Sequence, residues 1–190
     1  MEIWLDEELL KVLYDVLVKI YRETDYPITV GYNEGMIGVC IERPLTGVYD
    51  FIPFPHFLHK AAVLMETIVN FHPFADGNKR VALLATFYFL YWNGYDLTIP
   101  KNADEFTIEI AKGKRNLNDI LSWLSRHSKR GFSSILRNLF CGICITLWED
   151  YSVLEGLVGI LVPLFLPLYP FLFFREKIAG KRKNQTAARI

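Results

Sequence analysis

Nine consecutive residues, His72 to Arg80, read HPFADGNKR and gather five polar side chains that could act on one substrate. His72 can take or give a proton near neutral pH. Asp76 is a hard oxygen ligand of the kind that holds Mg2+ against a polyphosphate. Gly77 lets the backbone turn where a side chain would clash. The amides of Gly77 and Asn78, with the Asn78 side chain, then lie where a helix begins, and a helix N-terminus offers N–H groups and positive dipole to a phosphate. Lys79 and Arg80 add cationic charge at the same point. A proton acceptor, a metal ligand and an anion cradle in one short stretch point to transfer of a phosphate-containing group to a hydroxyl. Each residue also has a plainer reading. An isolated histidine is more often structural than catalytic, an aspartate here can cap a helix, and a Lys-Arg pair can be a solvated surface pair. Their convergence in one loop favours the chemical reading.

Two apolar segments of helical period must position this loop. Residues 57–70 (FLHKAAVLMETIVN) place Ala62, Leu64, Met65, Ile68 and Val69 on one side, and residues 80–93 (RVALLATFYFLYWN) are apolar nearly all round, as in a central helix. Phe74 is the expected anchor of the loop in the core. Upstream, residues 5–22 carry a stripe of Leu9, Leu10, Leu13, Val16, Leu17 and Ile20, with Asp6, Glu7 and Glu8 in the first turn, where the dipole favours acids. A short helix starts near Glu34 and ends at Arg43-Pro44. Residues 45–56 hold prolines, a glycine and aromatics, which exclude a long helix. Gly94 suits a helix C-terminus, and Asp96–Pro100 reads as extended. Asn102 with Glu105 forms a capping-box pattern, and Asn116 opens a last helix with Leu117, Ile120, Leu121 and Leu124 inward. The fold class expected is all-α: a helical bundle with a small irregular or hairpin element at 45–56.

HPFADGNKR resembles the signature loop HxFx(D/E)GN(G/K)R of the Fic/Doc, or Fido, family, and Lys79 with the following VALLATFYFLYWNGY is closer to its Doc (death-on-curing) branch. GYNEGMIGVCIERP at 31–44 and GKRNLNDILSWLSRHS at 113–128 resemble further Doc-type stretches, so the likeness covers residues 1–128. It implies a general base at His72, a metal ligand at Asp76, and nucleotide phosphates held by Gly77, Asn78, Lys79 and Arg80, with ATP or another nucleoside triphosphate and Mg2+ as cofactors. It implies a flap at 45–56 that aligns the target chain by strand addition. It also implies a protein substrate with a Ser, Thr or Tyr hydroxyl, such as a translation factor, and a small Phd-like antitoxin as partner. Departures narrow the chemistry. AMP-transferring members have glycine after the asparagine and a second arginine three residues after the first, where this chain has Lys79 and Leu83. Gly77 stands where a Doc-type kinase carries alanine. No (S/T)xxxE(G/N) inhibitory helix is present: Glu34-Gly35 follows Val30, and Glu155-Gly156 follows Tyr151.

The whole chain of 190 residues has zero formal charge, unevenly placed. Residues 1–128 carry 12 Lys and Arg against 17 Asp and Glu, whereas residues 129–190 carry 9 against 4. That split reads as a basic appendage rather than a nucleic-acid-binding domain. Residues 131–148 contain one charge, Arg137, and residues 157–174 are 18 residues without any, the minimum for a membrane span. Basic residues flank both ends, so the expectation is a transmembrane helical hairpin with catalytic domain and C-terminus cytoplasmic. Pro163, Pro167 and Pro170 keep open a single span, a re-entrant element or an oligomer surface. The domains expected are therefore 1–128 Doc-like, 129–175 hydrophobic and membrane-associated, and 176–190 a basic disordered tail. The acidic start MEIWLDEELL is unlike a signal peptide, and three cysteines (Cys40, Cys141, Cys144) without framework spacing suit a reducing compartment. His56 and His59 lack a third ligand and read as surface or flap residues.

The leading functional expectation is a Doc-like toxin that moves phosphate from ATP to a protein hydroxyl. The alternatives are nucleotidyl (AMP) transfer by the same loop, or a non-catalytic membrane-tethered binding module.

Overall fold

The computed structural model describes residues 4–22, 24, 27–46 and 54–130. All of these described residues fall within one compact unit. The hydrophobic segment from 131 onward, the basic tail, Cys141, Cys144 and residues 47–53 at the heart of the expected flap lie outside the described residues. Among the described residues no helix is long and apolar enough to cross a membrane.

The described residues form six helices and one two-stranded sheet: α1 (Glu7–Tyr21), α2 (Glu34–Glu42), α3 (Phe57–Phe71), α4 (Asn78–Trp92), β1 (Tyr95–Leu97), α5 (Ala103–Ala111), α6 (Leu117–His127) and β2 (Ser128–Arg130). The mostly helical expectation holds. α4 is the axis. Every residue from Val81 to Leu90 is buried, so no face of it meets water, and the other helices must enclose it. α3 runs against α4 and also meets α2, α5 and α6, while α1 covers α4 from another side.

Local chemistry explains where most elements begin and end. Asp6 caps α1 by accepting from the Leu9 N–H at 2.7 Å, with Glu7 and Glu8 behind it. Asn33 caps α2 through Met36 N–H at 3.2 Å. Gly94, at φ +87, turns the chain out of α4 into β1. Asn116 and Asp119 form a reciprocal capping box at the start of α6.

Four expectations need correction. α1 buries Leu10, Leu13, Tyr14, Leu17 and Tyr21, while Leu9, Val16 and Ile20 are only half-buried, because two tyrosines share the inward stripe. α6 buries Ile120, Trp123 and Leu124, with Leu117 and Leu121 half-buried, because the indole takes the inner face by stacking on Phe106 at 4.8 Å. Asn102 precedes α5 but makes no side-chain cap, and Ala103 N–H instead bonds to Pro100 O at 3.0 Å. Finally, Ser128–Arg130 do not lead away from the helical unit. They pair antiparallel with Tyr95–Leu97, Tyr95 opposite Arg130, so the unit continues past residue 128 as β2.

Candidate active site

α3 ends at Phe71, and His72 is its C-terminal cap at φ 49, ψ 58. That left-handed conformation costs a non-glycine residue energy, and His72 is the one non-glycine among the described residues to adopt it. The turn throws the imidazole out of the helix line, and His72 is exposed to solvent. The last turn of α3 is itself braced. Arg43 Nη1 donates to Thr67 Oγ1 at 2.7 Å, Nη2 pairs with Glu66 Oε2 at 3.0 Å, and the guanidinium lies 5.6 Å from the Phe71 ring centre.

From His72 the chain dives inward to Phe74, which is 2% exposed. The phenyl ring stacks on Tyr14 of α1, centroids 4.2 Å apart and planes 19° from parallel, so Phe74 is the anchor that its spacing suggested. Segment 31–33 closes on the loop as a single antiparallel bridge: Asn33 N–H bonds to Pro73 O and Ala75 N–H to Gly31 O, each at 2.8 Å, with Tyr32 opposite Phe74. A Cβ at Gly31 would come within 3.3 Å of the Ala75 Cβ, so any side chain here would push the two segments apart by a few tenths of an ångström. Tyr14 fixes both partners, donating its hydroxyl to Thr29 O at 2.9 Å and accepting from Gly31 N–H at 3.3 Å. Burial pushes the Tyr14 phenol above its usual range, with a smaller upward push from the Asp76 charge.

Two loop residues do something other than expected. Asn78 was expected to turn its side-chain amide to phosphate. Instead Oδ1 accepts from Phe74 N–H at 2.9 Å and Nδ2 donates to Phe74 O at 2.7 Å, satisfying two backbone groups buried beneath the loop. Gly77 was expected to lend its N–H to phosphate, but that N–H donates to Asp76 Oδ1 at 2.6 Å. The Asp76 carboxylate thus sits where an anion would, at the head of α4. Gly77 itself has φ +82, and a Cβ there would meet Ile28 Cδ1 at 3.3 Å.

Lys79 and Arg80 lie in the first turn of α4, both half-buried. α4 has no side-chain cap from its N-cap residue, although the Arg80 N–H is already bonded to Gly77 O at 2.9 Å. The Arg80 guanidinium lies 4.2 Å above the centre of the Tyr21 ring, and its Nη1 is buried without a hydrogen-bond partner. A buried guanidinium donor left unpaired is costly, and a phosphate oxygen would satisfy it. The residues present therefore fit a nucleotide's phosphates. They also fit a divalent ion. One Asp76 oxygen holds the loop amide and the other remains for a metal. Among the described residues no cluster of three or more His, Cys, Asp or Glu could hold an ion unaided, so phosphate oxygens would complete the shell, as is usual for Mg2+.

Two other features stand apart from this loop. A cavity of about 340 Å³ is lined by His56, Leu58, His59, Tyr95, Leu121 and Ser125, none of them from the loop, and it makes His59 a half-buried wall rather than a free surface group. Cys40 is a free buried thiol pushed up to about 12 by burial, so it is not a nucleophile at neutral pH.

The residues that sequence reasoning missed are Tyr14, Tyr21 and Arg43. The two tyrosines left a signal, since they lie seven positions apart and share one helix face with Leu10 and Leu17. Arg43 left none, because its partners Glu66 and Thr67 are distant in sequence.

A solvent-exposed histidine at a helix end, joined by a short turn to a helix start with cationic side chains, is an arrangement suited to group transfer. The chain belongs to the Fic/DOC family, whose members are protein-modifying transferases; residues 4–90 match that family, from just before α1 through α4. It is similar to Toxin Doc of Mycolicibacterium smegmatis, at 31% identity over 94 residues, which cover 48% of this chain and 72% of that toxin.

Proposed function

We propose that this protein is a Doc-like toxin that transfers phosphate from ATP to a hydroxyl on a target protein, and that a small Phd-like antitoxin restrains it. The observation that carries the reading is the buried, unpartnered Nη1 of Arg80 at the uncapped start of α4, one turn beyond a solvent-exposed His72. The likeness to a protein named Toxin Doc supports the toxin assignment.

In this reading ATP with Mg2+, when bound, supplies an electrophilic phosphorus and a leaving group already partly neutralised. The chain does the rest. His72 accepts the proton as the target oxygen forms its bond to phosphorus. Lys79 and Arg80 hold the phosphates and spread the developing charge. Asp76 offers its free oxygen to the metal while its other oxygen keeps the loop closed. Asn78 acts by holding Phe74, and through it the backbone on which His72 is mounted. Membrane attachment through residues 131–174, with the catalytic unit on the cytoplasmic side, belongs to the same proposal; carbonate extraction of membranes tests it.

The deciding experiment incubates the protein with a cell extract and ATP labelled at the γ or at the α phosphate. Label arriving on protein from γ alone, and lost in a His72 variant, is the expected result. Label from α instead establishes nucleotidyl transfer. No label from either, with growth arrest on expression unaffected by replacing His72, leaves a binding module and removes the enzymatic reading.

A further inference from the structure

α1 sets two tyrosines under the two ends of the loop. Tyr14 and Tyr21 are seven residues apart, close to two helical turns, and both are buried on the face turned to α4. Tyr14 carries Phe74. Tyr21 carries Arg80, whose guanidinium carbon stands 4.2 Å from the ring centre. That distance is well inside the reach of a cation–π contact, and the ring is only 7% exposed, so the contact is shielded from water.

Both partners are anchored from behind. Tyr21 is the last residue of α1, and its carbonyl accepts from the N–H and the hydroxyl of Thr24 at 3.1 and 2.7 Å. Arg80 N–H bonds to Gly77 O at 2.9 Å in the first turn of α4. Burial pushes the Tyr21 phenol upward and the Arg80 charge opposes that push, as expected of a cation held against the ring. A guanidinium lying on a ring keeps its plane and presents its N–H groups at its edge, the arrangement that recognises phosphate oxygens in pairs. Nη1 is such a donor, and it is buried without a hydrogen-bond partner.

We propose that Tyr21 is a positioning residue for phosphate recognition: its ring face fixes the Arg80 guanidinium so that the edge donors meet the phosphates of a bound nucleotide. The hydroxyl is not needed for this; the π face is. The proposal rests on the reading of the loop as a nucleotide phosphate cradle.

The test titrates the full-length protein with Mg2+ and the non-hydrolysable ATP analogue adenylyl-imidodiphosphate. Five forms are compared: wild type, Tyr21→Phe, Tyr21→Leu, a chain with pentafluorophenylalanine at position 21, and Arg80→Ala. The fluorinated ring keeps the shape of phenylalanine but inverts its quadrupole, so a purely structural role for the ring leaves binding unchanged. Tyr21→Phe is expected to bind within about twofold of wild type, while Tyr21→Leu and the fluorinated form weaken by about five- to thirty-fold. If Tyr21→Leu does not fold, the phenylalanine and pentafluorophenylalanine forms decide alone. Arg80→Ala losing the analogue while the fluorinated form binds like Tyr21→Phe overturns the positioning role and spares the phosphate cradle. Failure of wild type itself to bind the analogue overturns both.

Discussion

Two short turns in this protein join helix to helix, and they are built on opposite plans. Between α5 and α6 the chain turns at Gly113 (φ +68), where an added Cβ would meet nothing within 4 Å, and α6 begins with the Asn116–Asp119 capping box. Between α3 and α4 it turns at His72 and Gly77, a Cβ at Gly77 would lie 3.3 Å from Ile28 Cδ1, and α4 begins without a side-chain cap. The first junction satisfies its own backbone and asks nothing of its neighbours. The second is held from outside, by Tyr14 under Phe74, by the bridge to Tyr32 and by Arg43 behind Phe71. The buried Asn78 side chain serves the loop backbone rather than the helix start. A turn that only has to connect is cheapest when self-capped. A turn that must keep donors for a ligand has to be stabilised by everything around it.

The largest effect is expected at His72. If the turn exists to mount a base, removing the imidazole while keeping the backbone should cost catalysis and little else. Asparagine is the replacement of choice, since it tolerates the left-handed conformation better than alanine. His72→Asn is expected to lower label transfer from ATP by about 10²–10⁴-fold, the usual worth of a general base, with the urea midpoint nearly unchanged. Transfer that survives in His72→Asn would make this turn as passive as the one at Gly113.

Asn78→Ala gives the next largest effect, and on stability first. It leaves Phe74 N–H and O buried without partners, each worth about 1–3 kcal/mol when orphaned. Urea unfolding should show that loss, and transfer should fall with it because His72 loses its mount. A variant with lowered stability but full activity would show that Phe74 is held by Tyr14 alone.

Much of this was legible in the sequence. The central burial of α4, the length of α3 and the anchor at Phe74 follow from apolar period and spacing, which depend on residues close together in the chain. The loop's chemistry was legible because its residue types are rare in combination. What stayed hidden were choices made by distant partners. Asn78 and Gly77 each had two plausible receivers, phosphate or loop, and only the folded backbone shows that Phe74 and Asp76 take them. The pairing of Tyr95–Leu97 with Ser128–Arg130 joins segments some thirty residues apart and too short to carry an alternating pattern. Tyr14 and Tyr21 were passed over because an amphipathic stripe counted on aliphatic residues ignores rings that bury their faces and bond through their hydroxyls.

The two turning glycines differ in what surrounds them. Gly113→Ala should cost only the positive φ, about 1–2 kcal/mol. Gly77→Ala pays that and the contact with Ile28, whose Cδ1 lies 3.3 Å from the new methyl group. Ile28→Val removes that atom, so in a double-mutant cycle the valine should recover the extra loss at position 77 and do nothing for Gly113→Ala. Equal costs at 77 and 113, with no coupling to Ile28, would mean that the neighbours yield freely and the functional turn is no more tightly held than the other.

The smallest effect separates a cap that works from one that only looks right. Asn116 accepts from Asp119 N–H at 3.1 Å, while Asp119 accepts in return from Asn116 N–H at 2.9 Å. Asn102 has the same residue type and an acidic residue three positions on, yet makes no cap. Asn116→Ala should therefore lower stability by about 1 kcal/mol, and Asn102→Ala by only a few tenths. Neither should change phosphate transfer, because both lie at helix starts remote in sequence from the loop. A loss of transfer in Asn116→Ala at unchanged nucleotide affinity would tie the self-capped junction to catalysis and undo the division between a turn that connects and a turn that reacts.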